Sequence, residues 1–247
     1  MLKNIKKKIR IKICSILTRV VSLDSIVILL RLKLVRNNFT LNGEEIGYVF
    51  HSHNNMGLTE RTVELGIAKS YLEKSRPKAL LEIGNVTNYY YDLFKGTYSS
   101  KQTVDLGEED YNVVKKDIAD FKSNEKFDFI LSISTFEHMD EEEFRPKTIK
   151  LEPWTVAAKN IIYCYENLLE DGGTFLLTAA LGWTKEWDLT FKTDLLKGYP
   201  FSKMNRYLLH RVSEQEWKQE ENIFHEPTPY GSPFQFGNWL SVIEIKK

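Results

Sequence analysis

The stretch Phe127-Asp128-Phe129-Ile130-Leu131-Ser132-Ile133 constrains this chain more than any other. It is almost wholly apolar, as a strand must be when both faces of its sheet are covered, the usual state of a central parallel strand. Shorter runs of the same kind stand at Ala79-Leu80-Leu81-Glu82-Ile83, Thr103-Val104-Asp105, Asn112-Val113-Val114 and Thr174 to Ala180. Helical segments fall among them. In Leu58 to Lys74, Val63, Ile67 and Tyr71 lie four apart and Pro77 supplies the stop. Trp154 to Leu169 has Pro153 near its start and Gly172-Gly173 just past its end. Strands alternating with helices predict an open α/β sheet with crossover connections.

The tail reads differently. Asn205 to Val212 and Trp239 to Ile245 are predicted strands, and together they suggest an antiparallel edge. Ser213-Glu214-Gln215-Glu216 has capping-box spacing, which predicts a short helix. Residues 225–238 carry three prolines and two glycines among Tyr230, Phe234 and Phe236, the composition of a loop.

Charge divides the chain in two. Lys+Arg and Asp+Glu each number 34, yet residues 1–36 hold ten cations and the single acid Asp24. The remainder is therefore acidic by nine charges. We read residues 1–36 as a basic amphipathic N-terminal arm and 37–247 as one domain. An acidic body argues against nucleic acid as a partner. The arm's longest uncharged apolar run, Ile26 to Leu30, is far shorter than the roughly 20 residues of a membrane span. Ile5, Ile9, Ile13, Ile16 and Val20 recur at helical spacing among cations, a pattern suited to peripheral contact with an anionic membrane or to docking on the body. Only two cysteines occur, Cys14 and Cys164, so the expected location is cytoplasmic and reducing, with possible membrane association.

Open α/β sheets bind ligands beyond the carboxyl ends of their strands. There the chain carries Glu82-Ile83-Gly84-Asn85, then Asp105, then Asp117-Ile118, then Ser134-Thr135-Phe136-Glu137-His138. Asp105 follows Gly84 by 21 residues, a spacing that suits a carboxylate bonded to ribose hydroxyls. Asp117-Ile118 pairs an acceptor for an adenine amino group with an apolar cover. A histidine such as His138 suits proton removal near neutral pH. His51-Ser52-His53 lacks an assignable third metal ligand, and no metal is expected.

Taken together with Leu168-Leu169-Glu170-Asp171-Gly172-Gly173, these stretches resemble the class I S-adenosylmethionine-dependent methyltransferases, over about residues 58–183. The resemblance implies a Rossmann-like open twisted sheet, mostly parallel with an antiparallel C-terminal edge strand and helices on both faces. It implies S-adenosylmethionine as cofactor, held by Glu82, Gly84, Asn85, Asp105, Asp117, Ile118 and Ser134, with His138 as catalytic base. The similar proteins act on small molecules, some of them in bacterial glycan assembly, so the expected acceptor is a small molecule or saccharide methylated on oxygen or nitrogen. Glu60 and Arg61 lie where relatives build a wall of the site. The chain departs from the family at the first turn, where Val86 and Asn88 replace two glycines. That departure keeps open a non-catalytic binding or scaffold protein on the same fold. A dinucleotide oxidoreductase would also use Asp105.

Overall fold

The computed structural model describes residues 38–53, 57–110, 112–139, 141, 155–193, 195, 196 and 198–247. The basic arm, Asn54, Asn55, Pro153 and Trp154 lie outside the described residues.

Phe39 and Ile46 face inward from a small hairpin, β1 (Asn38–Leu41) and β2 (Glu44–Gly47). Helix α1 (Glu60–Ser75) follows. Its start is fixed by the Thr59 amide donating to Thr62 Oγ1 at 3.3 Å. It ends at Arg76, whose left-handed backbone returns an N–H to the Leu72 carbonyl before Pro77. The parallel strands are β3 (Ala79–Ile83), β4 (Ser100–Asp105), β5 (Val113–Lys115), β6 (Phe127–Ile133) and β7 (Leu169–Ala180). Between β3 and β4 lies a single-turn helix, α2 (Tyr91–Phe94). Helix α3 (Val156–Tyr163), capped by Thr155, precedes β7, and α4 (Lys185–Lys192), capped by Thr184, follows it. The chain closes with β8 (Lys203–Ser213), β9 (Glu216–Glu220) and β10 (Trp239–Lys246).

Eight strands form one sheet in the order β5-β4-β3-β6-β7-β10-β8-β9. Strand β10 is antiparallel to both neighbours, so β8 runs with the parallel set. The side-chain alternation of each strand explains the two-sided core. Phe129, Leu131 and Ile133 of β6 join Leu80 and α1 on one face. Ile130 joins Leu81, Leu177 and the apolar residues of α3 and α4 on the other. The Rossmann-like α/β expectation holds, with helices on both faces.

Three details differ from the sequence reading. The C-terminal strand β10 lies inside the antiparallel side of the sheet, and β9 forms its rim. Ser213 to Glu216 does not begin a helix. Ser213 Oγ accepts from the Gln215 amide at 3.1 Å and turns β8 into β9, which seats Trp217 in the core. Helix α3 ends at Tyr163, and one π-helical turn, Cys164–Leu168, leads directly into β7.

Candidate functional site

The parallel strands all end on one rim of the sheet, and the loops leaving β3, β4, β5 and β6 enclose a cleft of about 670 Å3 there. Gly84, Asn85, Asp105, Asp117, Ile118, Ser134 and His138 all line it. Residues spread over 55 positions of sequence are thus brought to one wall by strand order.

Gly84 adopts φ +87°, in the left-handed region. Thr135 packs against its Cα, leaving no space for a side chain. The altered turn after it is built on Glu82, which does not line the cleft. The Glu82 carboxylate is buried and accepts from the amides of Val86 and Thr87 at 3.1 and 2.6 Å, from Thr87 Oγ1 at 2.7 Å and from Lys101 Nζ at 2.8 Å. Its sequence-assigned contact with a cofactor is therefore corrected. Alternation along β3 turns Glu82 away from the cleft, where it fastens the turn that Val86 and Asn88 could not form by glycine freedom alone.

Asp105 closes the next loop. Its Oδ1 accepts from the amides of Gly107 and Glu108 at 2.7 and 2.9 Å, and its Oδ2 from the Asn85 amide at 2.9 Å. A carboxylate offers about four lone-pair positions, so roughly one remains, on Oδ2. Glu108 stands beside it on the cleft wall, accepting from Asn85 Nδ2 at 2.7 Å and from the Tyr89 hydroxyl at 2.9 Å. Sequence reading missed Glu108 and Tyr89. The signal available was the Tyr89-Tyr90-Tyr91 run directly after the altered turn. Asp117 Oδ1 accepts from the Ala119 amide at 2.9 Å, which holds Ile118 in place against the cleft. His53 stacks on Tyr89 at 4.8 Å between centroids, and His51 meets Tyr90 edge-on.

Ser134 also has a left-handed backbone, φ 44°. This sharp bend after β6 directs its hydroxyl to both oxygens of the fully buried Glu64, at 2.8 and 2.9 Å. The next residues turn His138 to the mouth of the cleft. His138 Nδ1 lies 2.7 Å from Glu141 Oε1, and its ring meets Trp183 edge-on at 5.3 Å. Burial works to raise the Glu141 pKa, but hydrogen bonds from Trp183 and His138 outweigh it and hold the carboxyl below its ordinary value. An Nδ1–H donated to that carboxylate leaves the lone pair on Nε2. Glu137 points inward instead and is 3% exposed. Burial, then the charge of Glu64, pushes it up to about 8.

No helix among the described residues is long and apolar enough to cross a membrane. No protein-family model matches the chain, and no curated protein matches it. Solved structures do. The N-methyltransferase NodS from Bradyrhizobium japonicum WM9, in complex with S-adenosylhomocysteine, aligns at 13% identity and TM-score 0.46, covering 79% of this chain and 91% of that one. A SAM-dependent methyltransferase from Archaeoglobus fulgidus aligns at 13% identity and TM-score 0.45, with 76% and 95% covered. The plantazolicin methyltransferase BpumL, also with S-adenosylhomocysteine, aligns at 13% identity and TM-score 0.44, with 76% and 84% covered. At such identities and scores, these likenesses by themselves assign no chemistry to this chain.

Proposed function

We propose that this chain is an S-adenosylmethionine-dependent methyltransferase acting on a small-molecule acceptor. One observation carries the reading. A cleft at the carboxyl rim of the parallel strands is lined by Gly84, Asp105, Asp117-Ile118 and a histidine oriented by a carboxylate. Its volume falls within the range of small-molecule and cofactor sites, about 300–1,000 Å3. The residues present fit the cofactor. Gly84 presents only backbone to the cleft, Asp105 and Glu108 offer carboxylate oxygens for a diol, and Ile118 is an apolar cover beside the Asp117 acceptor.

The cofactor supplies an electrophilic methyl group on a sulfonium. The protein supplies position, exclusion of water and a base. Asp105 has room for one hydroxyl, so Glu108 takes the other. Tyr89 and Tyr90 narrow the opening beside the Gly84 turn. His138 Nε2 removes the acceptor's proton, and the Glu141 carboxylate stabilises the imidazolium that forms. A saccharide is one acceptor class consistent with the exposed Trp183 beside His138. Residues 1–36, through their ten cations, would bring the domain to an anionic membrane.

Calorimetry with S-adenosylhomocysteine and with NADH tests the reading. Binding of the first alone is expected. Binding of NADH alone would favour a dinucleotide enzyme, and binding of neither a scaffold. For the arm, the full chain should pellet with anionic vesicles at low salt, and a chain beginning at Asn37 should not.

A further inference from the structure

A smaller chamber of about 150 Å3 adjoins the cleft. Arg61, Ser134 and His138 line both spaces. Its other walls include Glu60 of α1, Glu137, Trp183 and Tyr230. Three polar atoms there, Glu60 Oε2, Glu137 Oε2 and Arg61 Nη1, are buried with no hydrogen-bond partner among the described residues, although Arg61 Nη1 stands 3.5 Å from Glu64 Oε2. Glu60 and Glu137 are both more than nine-tenths buried, at 8% and 3% exposed. Their companion oxygens are engaged, Glu60 Oε1 by the Tyr230 hydroxyl at 2.8 Å and Glu137 Oε1 by the Ala180 amide at 3.2 Å.

Glu64 lies behind them and has partners of its own. It accepts from Ser134 Oγ and from Thr178 Oγ1, and Arg61 stands 3.5 Å away. Three carboxylates thus stand around the Arg61 guanidinium, with Arg211 a second cation that acts on Glu60. Burial, followed by the charge of Glu64, raises the pKa values of Glu60 and Glu137, which is the signature of anions lacking compensation. Trp183 and Tyr230, with ring centroids 4.6 Å apart at 87°, add aromatic faces to the same space. Such faces attract cations. What completes this chamber is a group that brings positive charge and at least two donors. A hydroxyl brings one donor and no charge, and an anion would meet two unpaired carboxylate oxygens against the single unpaired Arg61 Nη1.

We propose that the chamber holds the methyl acceptor as an ammonium group, so that the substrate is a primary amine. This rests on the methyl-transfer reading of the adjoining cleft. Glu60 Oε2 and Glu137 Oε2 accept two of the ammonium protons. One proton passes to His138 Nε2, giving an imidazolium paired with Glu141. The freed nitrogen lone pair forms the new N–CH3 bond as the methyl–sulfur bond breaks, its electron pair staying on sulfur. The sulfonium becomes a neutral thioether, the product is a methylated ammonium, and His138 returns its proton to water.

The test uses cyclohexylamine and cyclohexanol as probes, titrated into the full chain at pH 7 with and without saturating S-adenosylhomocysteine. The amine should bind at least tenfold more tightly than the alcohol. Its heat should differ between phosphate and Tris buffers, because Glu137 releases a proton to the buffer as the cation enters. Glu137→Gln and Glu60→Gln should each weaken the amine at least tenfold while affinity for S-adenosylhomocysteine stays within about twofold, which shows that the fold survives. Mass spectrometry should then find the methylated amine and no methyl ether. Equal binding of amine and alcohol, or amine affinity unmoved in both variants, would overturn the acceptor class alone. Failure of S-adenosylhomocysteine to bind the wild-type chain would instead overturn the methyl-transfer reading, and the acceptor role with it.

Discussion

Gly84 and Thr135 stand so close that a Cβ built on Gly84 would lie 2.0 Å from Thr135 Oγ1. The turn after β3 and the turn after β6 are therefore locked side by side, and the floor of the cleft is a contact between them. Gly84→Ala meets both this contact and the cost of a left-handed backbone. We expect a loss of about 2–4 kcal/mol in chemical denaturation. Adding Thr135→Ala should recover only the steric share. Full recovery would show that the backbone at Gly84 carries no strain.

The two carboxylates beside Asn85 should separate by variant. Asp105→Ala removes three bonds from backbone amides as well as one ligand acceptor. It should weaken S-adenosylhomocysteine at least tenfold and also lower the melting temperature. Glu108→Ala leaves those amides satisfied, so it should cost affinity about tenfold with little change in melting. Equal losses of stability in the two variants would refute this division.

The strands were legible because their apolar runs are short and bounded. Phe127–Ile133 and Ala79–Ile83 have the ends that the sequence suggests. The strand-end residues from Gly84 to His138 converge because parallel strands share one rim, so spacing and order sufficed. Glu82 was misplaced since its motif position says nothing about which way alternation turns a side chain. Glu64 escaped because a glutamate within a helix ordinarily faces water, whereas here it sits under Ser134 and Thr178, from elements 70 and 114 residues away. The Ser213 turn was misread because a hydroxyl two or three residues before an amide serves a hairpin as well as a helix.

Glu137 makes stability depend on pH with a definite sign. Its native pKa of about 8 lies above its ordinary value of 4.5, so between those pH values the folded protein holds more protons than the unfolded chain. Its contribution is then fully present below the ordinary value and is lost as pH rises through about 8. Glu60, also raised, acts in the same direction. In melts recorded from about pH 5 to 8.5, Glu137→Gln should flatten a decline on the order of a few kcal/mol. An unchanged slope would place the titration elsewhere.

His138→Ala should lower turnover about 10²–10⁴-fold with little change in cofactor affinity. Glu141→Gln removes the charge that faces the ring and should lower turnover less. A loss of S-adenosylhomocysteine binding in His138→Ala would mean that the ring shapes the cleft and does no proton transfer.

The position of β10 bears on how the molecule is made. Synthesis delivers the five parallel strands first, and the β8–β9 hairpin next. Neither half can pair with the other within the sheet until Trp239–Lys246 emerges and pairs with both. At about 5–20 residues per second, the stretch from Ser213 to Trp239 takes of order seconds. Through that interval β7 and β8 each offer a bare row of amides and carbonyls to any passing strand. Slow codons between residues 213 and 239 would lengthen that exposure, and a holding chaperone on the nascent chain would have its greatest effect there.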